Sequence, residues 1–385
     1  MANDSYIVFG SPMIGEEEIF AVTETLRTAW IGTGPRVAEF EEAIRLYSRA
    51  RNAMALGSCT AALHLSMVVS GVERGDEVIT TPLTFAATAA AIIHTGATPV
   101  FVDVERDSMN IDPDLIEFAI TRDTRALLPV HFAGRPCNMD KIGEIARNHG
   151  DLLVIEDAAH ALESEYKGRK VGSISPLTCF SFYATKNITT AEGGMVCTDR
   201  ADLAEMIKIY GLHGLSADAW SRFSDKGYQH YEVVFPGFKY NMTDIQASLG
   251  LCQLSQIEIW MRRREKIWER YNDAFRDLPV VVPKDPEPDT VHSRHLYTLL
   301  LDVDEAGLSR DDFLAALNQR GIGTGVHYRS LHLHKYYRER FGYKPQDFPN
   351  ANWISERTLS LPLSAKLTDE EVDRIIGAVT EILIR

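Results

Sequence analysis

Short apolar runs recur through the first half of the chain, and a glycine, proline or polar residue ends most of them. Their length and bounds suit strands buried on both faces. The pattern predicts strands at 53–56, 77–80, 99–103, 126–130, 152–156, 178–182 and 194–198. Between most of them, apolar residues fall at helical spacing. One helix opens at Asp112-Pro113, an N-cap acid followed by proline at the first helical position. This alternation implies βα units and a mostly parallel sheet. Residues 199–240 read as loop-rich, with several glycines and aromatics. A helical pattern then runs from about Thr243 to Arg276, capped by Thr243 or Asp244, and is expected to bridge two domains. Pro279 to Pro288 has the Pro- and Asp-rich composition of an exposed loop. After it come a strand at about 295–301 and helices following Ser309 and Thr368, where Thr368-Asp369-Glu370-Glu371 is a capping-box pattern. The expected fold class is α/β: a large domain at 14–250 with a mostly parallel sheet flanked by helices, and a smaller α+β domain at 251–385. Residues 1–13 are expected to pack on the smaller unit. A length of 385 residues is enough for two cores.

Ligands of such sheets bind outside the carboxyl ends of the strands, and three predicted strand ends carry chemistry. Lys186 follows Phe180-Ser181-Phe182-Tyr183-Ala184-Thr185 and precedes Asn187 to Gly194. A lysine just past a buried strand is costly if it stays charged. Desolvation lowers its pKa, and the neutral amine can then attack an aldehyde. Asp157 ends the run Leu152-Leu153-Val154-Ile155-Glu156-Asp157 and is followed by Ala158-Ala159-His160. A carboxylate there can hold a pyridine nitrogen protonated. Glu156 is the poorer partner, since its side chain alternates to the other face of the strand. In Gly57-Ser58-Cys59-Thr60-Ala61-Ala62 a strand turns into a helix. Its N-terminal N–H groups and hydroxyls suit a phosphate. Ser181 can add one more hydroxyl.

With these stretches in hand, the chain resembles the DegT-type sugar aminotransferases, fold-type-I enzymes that use pyridoxal 5'-phosphate on nucleotide-linked keto sugars. The markers extend through Gly75-Asp76-Glu77-Val78-Ile79, Gly96-Ala97-Thr98-Pro99-Val100, Pro129-Val130-His131 and Glu192-Gly193-Gly194, so the resemblance covers nearly the whole chain. It implies that Lys186 holds the cofactor and acts as acid and base, with Asp157 at the ring nitrogen and His160 facing the ring. Ser58, Cys59, Thr60, Ala61 and Ser181 hold the phosphate, and Phe85 stacks on the ring. It implies a homodimer with shared active sites, in which a loop bearing Lys239 and Asn241 reaches the partner's cofactor phosphate. Many family members have Asn-Tyr-Arg in this loop; here it reads Lys239-Tyr240-Asn241. That sequence, with Gly323-Thr324-Gly325-Val326-His327 and the stretch from Lys335 to Phe341, is most similar to the branch that makes UDP-4-amino-4-deoxy-L-arabinose. Arg263, His327, Tyr328 and Arg329 are the substrate-side candidates, and L-glutamate is the expected amino donor.

Composition narrows the picture further. A net charge of −14 argues against nucleic-acid or anionic-membrane partners. The 5 cysteines are widely spaced with no C-x-x-C, as in a reducing, cytoplasmic setting. Met1 to Ser5 shows no signal-peptide start, and the apolar stretch at 85–93 is too short to span a membrane. His327, His332 and His334 lack an acid or thiol at matching spacing, so no metal site is expected. Three alternatives stay open: a 4-keto-6-deoxyhexose substrate, a 3-keto sugar, and a non-catalytic cofactor-binding regulator. An intact Lys186 disfavours the last.

Overall fold

The predicted runs assemble into one seven-stranded sheet in a computed structural model that describes residues 6–216 and 231–384. The leader expectation at Met1 to Ser5 therefore falls outside the described residues. The strands are β1 (Asn52–Leu56), β2 (Glu77–Thr80), β3 (Thr98–Phe101), β4 (Thr124–Leu127), β5 (Leu153–Asp157), a small hairpin β6 (Glu165–Tyr166) and β7 (Arg169–Lys170), then β8 (Leu177–Ser181) and β9 (Gly194–Thr198). The sheet order is β1-β9-β8-β5-β4-β2-β3. Neighbours from β8 to β3 pair in parallel, whereas β9 runs antiparallel to both β1 and β8. Two reversals restore direction, so β1, β8 and β5 all end at the same edge. The register makes this concrete: Gly194 stands opposite Leu56 on one side and Ser181 on the other, and Asp157 pairs with Cys179. The three chemistry-bearing ends therefore meet.

Both faces of the sheet are covered, which is why its strands read as continuous apolar runs. One core packs Met54, Leu56, Val78, Ile155 and Val196 against the helix Cys59–Val69. Another packs Ala53, Phe180, Phe182 and Met195 against the helix Pro35–Ser48.

The helix Asp244–Phe275 has 32 residues and opens on a capping box between Thr243 and Gln246. Its residues up to Trp260 belong to the sheet core. From Ile267 onward, Trp268, Tyr271 and Phe275 belong to a second core with Tyr297, Leu299, Phe313, Leu361 and Ile375. That core lies on an antiparallel sheet of β10 (Val280–Val281), β11 (Tyr297–Leu301) and β12 (Thr358–Leu361), together with the helices Arg310–Gln319 and Asp369–Leu383. Ile7 is buried in the same core and pairs with Ile322.

One region departs from expectation. The segment 199–240 is not loop throughout: the helix Ala201–Gly211 occupies its start. Leu203, Ala204 and Ile207 form its buried face, a helical spacing obscured by the glycines and aromatics that follow. Residues 217–230 of that segment lie outside the described residues.

Candidate active site

Strand alternation sorts the two acids of β5. Glu156 points away from the cleft, where its carboxylate accepts from the Thr178 hydroxyl at 3.0 Å and the Ser175 N–H at 3.1 Å and meets His131 Nε2 at 2.7 Å. Asp157 points into the cleft. Its Oδ2 accepts from Thr88 Oγ1 at 2.8 Å, and its Oδ1 accepts from the Ala159 N–H at 3.2 Å. Burial pushes its pKa up; the bonds from Thr88 and Ala159 and the nearby Lys186 oppose that. A buried carboxylate with two neutral donors is a site for a cationic partner.

Lys186 lies on the loop that leaves β8, with its backbone N–H bonded to the Tyr183 carbonyl at 2.9 Å. Desolvation is the leading influence on its amine and lowers the pKa to about 8 against the pull of Cys59 and Asp157. A useful fraction is thus uncharged near neutral pH.

At the end of β1, Ser58 caps the helix Cys59–Val69, with its Oγ accepting from the Ala61 N–H at 3.1 Å. The turn lies hard against β9: a Cβ on Gly194 would stand 2.4 Å from the Ser58 carbonyl. Only glycine lets strand and helix start come this close.

The far wall comes from the second unit. His327 is anchored through Nδ1 to Ser360 Oγ at 2.8 Å. The Tyr328 hydroxyl lies 3.3 Å from His160 Nε2. Phe85 is 62% exposed, with its ring 6.2 Å from that of Tyr328. Together these elements enclose a cavity of about 620 Å³ that Ser58, Cys59, Thr60, Phe85, Asp157, His160, Ser181, Lys186, His327 and Tyr328 help to line. This volume is in the range of a small-molecule site.

The donor set fits pyridoxal 5'-phosphate. It offers an amine for the aldehyde, a buried carboxylate for the ring nitrogen, and a hydroxyl-rich helix start for the phosphate. His160 Nδ1 is buried and has no hydrogen-bond partner within the described chain. Such a group calls for a ligand.

Some sequence candidates lie elsewhere. Ala61 is buried one turn inside the helix, behind the lining residues. Arg263 does not reach the cavity: it donates to the Leu367 carbonyl at 2.7 Å and pairs with Asp369 at 2.8 Å, because it lies on the part of the long helix that faces the second unit. Arg329 is exposed and does not line the cavity, since it follows Tyr328 on the outward side. Lys239 is exposed and bonded to Asn241, whose amide donates to Thr33 Oγ1 at 2.6 Å. Asn241 lines a separate groove with Trp30 and Glu41.

Sequence reasoning passed over Thr88 and Thr84. Thr84 lies just before the helix Ala86–Thr95 and Thr88 in its first turn, and Thr84 Oγ1 lies 2.7 Å from Thr88 Oγ1, which steadies the donor to Asp157. The repeat of threonine at helical spacing beside Phe85 was the available signal. Tyr183, Thr185 and Glu192 also line the cavity.

Proteins named for work on sugars are among those that this chain resembles. Spore coat polysaccharide biosynthesis protein SpsC of Bacillus subtilis is 48% identical over 98% of this chain and 97% of its own. An uncharacterised protein of Methanocaldococcus jannaschii, MJ1066, is 51% identical over 100% of this chain and 99% of its own. Spr1654 of Streptococcus pneumoniae, assigned as a sugar aminotransferase and solved in a PLP-form, superposes with a TM-score of 0.90 at 36% identity, covering 98% of each chain. With the sequence profile of the DegT/DnrJ/EryC1/StrS aminotransferases matching residues 12–380, the chain belongs to that family, and it is a sugar aminotransferase whose cofactor is pyridoxal 5'-phosphate.

Proposed function

We propose that the protein transfers an amino group from L-glutamate to C4 of a UDP-linked 4-keto sugar, with a 4-keto-pentose preferred, in the biosynthesis of a surface or secondary-metabolite sugar. The observation that carries the reading is the convergence of Lys186 and Asp157 from neighbouring strand ends on one cavity, roofed by His327 and Tyr328. The choice of C4 and of a UDP-pentose rests on sequence: His160, the Lys239-Tyr240-Asn241 stretch and the His327-Tyr328-Arg329 stretch.

Bound pyridoxal phosphate supplies an electron-withdrawing ring and an aldehyde carbon that can carry the amino group. The chain's own residues do the rest. Asp157 holds the proton on the ring nitrogen. The Ser58–Thr60 turn and Ser181 hold the phosphate and so fix the ring's position. Lys186 would take a proton from the donor or sugar carbon as base and return one as acid; a pKa of about 8 suits both tasks near neutral pH. His327 and Tyr328 close the cavity over the sugar and limit water.

The active unit in this reading is a cytoplasmic homodimer, with Lys239 or Asn241 of one subunit completing the phosphate site of the other. Lys239 is exposed and Asn241 half-buried, both outside the cavity of their own chain, which supports that arrangement. Among the described residues no helix is long and apolar enough to cross a membrane.

The experiment is a product panel. Purified enzyme, pyridoxal phosphate and glutamate are offered UDP-4-keto-pentose, UDP- and dTDP-4-keto-6-deoxyhexoses and a 3-keto sugar, and kcat/KM is compared by mass spectrometry. One ring carbon displaces the reacting atom far enough to cost roughly 10²-fold. A preference for the 3-keto sugar sinks the C4 reading. A preference for a 6-deoxyhexose sinks only the pentose, a distinction of about 1–3 kcal/mol.

A further inference from the structure

Immediately after Lys186 the chain is clamped by a buried network that the mechanism above does not use. The Asn187 amide nitrogen donates to both carboxylate oxygens of Glu163, at 3.0 and 2.9 Å, and to the Ser293 carbonyl at 3.1 Å. Glu163 is fully buried and ion-paired with Arg264, which is 3% exposed on the long helix. Arg264 also donates to the Ser293 carbonyl at 3.3 Å, and the Ser293 hydroxyl donates to the His160 carbonyl at 2.6 Å. On the other side of the amide, Asn187 Oδ1 lies 2.9 Å from His295 Nδ1. The His295 ring in turn lies 4.5 Å from the ring of His160, tilted by 37°.

These contacts leave little freedom. All three partners of the Asn187 nitrogen are oxygens that only accept, so the orientation of the amide is fixed. Its oxygen therefore faces His295, and His295 Nδ1 must carry the proton. Burial, reinforced by Lys186 and His327, holds His295 well below the usual histidine range, so its ring is uncharged and Nε2 is bare. We propose that His295 is a positioning residue of the transamination site: held by Asn187 as the Nδ1–H tautomer, it fixes the peptide beside Lys186 through its hydrogen bond and the ring of His160 through its face.

The need is geometric. The Lys186 amine must swing between atoms during the reaction while its Cα stays still. An error of about 1 Å at the reacting group costs on the order of 10²-fold in rate. Asn187 ties that Cα to Glu163 on one stretch of chain and to Ser293 and His295 on another. Packing alone would need only a ring at position 295. The hydrogen bond requires a donor where Nδ1 stands.

Two arms test this. In the first, ¹⁵N NMR of histidine-labelled full-length protein, with and without cofactor, reads the tautomer of His295 directly; this arm does not depend on any activity. Nδ1–H is expected, and Nε2–H would overturn the proposal. The second arm rests on the transaminase reading and compares His295→Phe, which keeps a ring, with His295→Asn, whose amide nitrogen replaces Nδ1. His295→Phe should lower kcat for the glutamate half-reaction by about 10- to 100-fold with KM for glutamate little changed, while His295→Asn stays within about threefold of wild type. A His295→Phe enzyme as fast as wild type would show that the ring alone suffices, and a His295→Asn enzyme as slow as His295→Phe would remove the hydrogen bond from the argument. If a variant fails to fold, the wild-type tautomer decides. If the wild type does not turn over glutamate at all, the functional reading fails while the NMR arm still judges the clamp.

Discussion

Desolvation and attraction compete at Lys186, and desolvation wins. The amine loses water in the cleft wall, while Cys59 and Asp157 favour its charged form less strongly, and the pKa falls from 10.5 to about 8. The rate of trinitrophenylation of Lys186 in cofactor-free protein should therefore rise about tenfold per pH unit below 8 and level off above it, read by peptide mass mapping. An ordinary lysine keeps gaining reactivity to about pH 10.4; such a profile at Lys186 would refute the assignment. The same shift has a sign for stability. Between pH 8 and 10.5 the unfolded chain binds the proton that the folded chain has lost. The cofactor-free fold should therefore become more stable as pH rises through that window. The neighbouring histidines stay out of this balance: burial lowers His160 and His295 well below the usual range and His327 to about 4, so they are neutral where Lys186 titrates.

Among the elements, the sharpest constraint is the approach of β9 to the helix that starts at Cys59. A methyl group on Gly194 would lie 2.4 Å from the Ser58 carbonyl carbon and oxygen and 2.5 Å from the Cys59 nitrogen, all of them backbone. Nothing flexible is there to yield. Gly194→Ala should cost about 1–3 kcal/mol in urea unfolding and also weaken pyridoxal phosphate binding in an absorbance titration, because the phosphate turn must move. Unchanged affinity would mean that the turn tolerates displacement or does not hold the phosphate. The sequence made this site half legible. Lys186, Asp157 and the Ser58 turn could be found because each sits at the end of an apolar run, a local signal, and Glu156 could be set aside by strand alternation. Glu163, Arg264 and His295 could not. Glu163 and Arg264 are 101 residues apart and Asn187 and His295 are 108 apart, with no pattern in either neighbourhood to show that they meet. Arg263, a substrate-side candidate, turns away from the cavity, since one position along a helix turns a side chain by about 100°. Arg264 faces the buried network, and Arg263 faces Asp369.

For the whole molecule, the surface argues for a partner. Ile14, Ile19, Phe20, Leu26, Trp30 and Ile31 are all large, apolar and exposed; they occupy one stretch of chain, and Trp30 lines the same groove as Asn241. The homodimer proposed above would cover this face, with the partner's Lys239–Asn241 loop completing the cavity. Mixing a Lys186→Ala chain with a chain altered at both Lys239 and Asn241 checks it. With shared sites, one pocket of each heterodimer recovers activity. No recovery after confirmed subunit exchange would place the loop in the site of its own chain.

The path of the chain also sets an order of events during translation. The phosphate turn, the Asp157 strand and Lys186 are all synthesised before the long helix, which spans about 48 Å and carries the chain into its second core. The roof arrives only with His327 and Tyr328, and it is pinned later still, when Ser360 emerges on β12 to bond His327. The burial that lowers the Lys186 pKa is therefore complete only once these late residues close the cavity. A chain that ends before β12 would carry the amine, the carboxylate and the phosphate turn without the Ser360 bond that pins His327 over them.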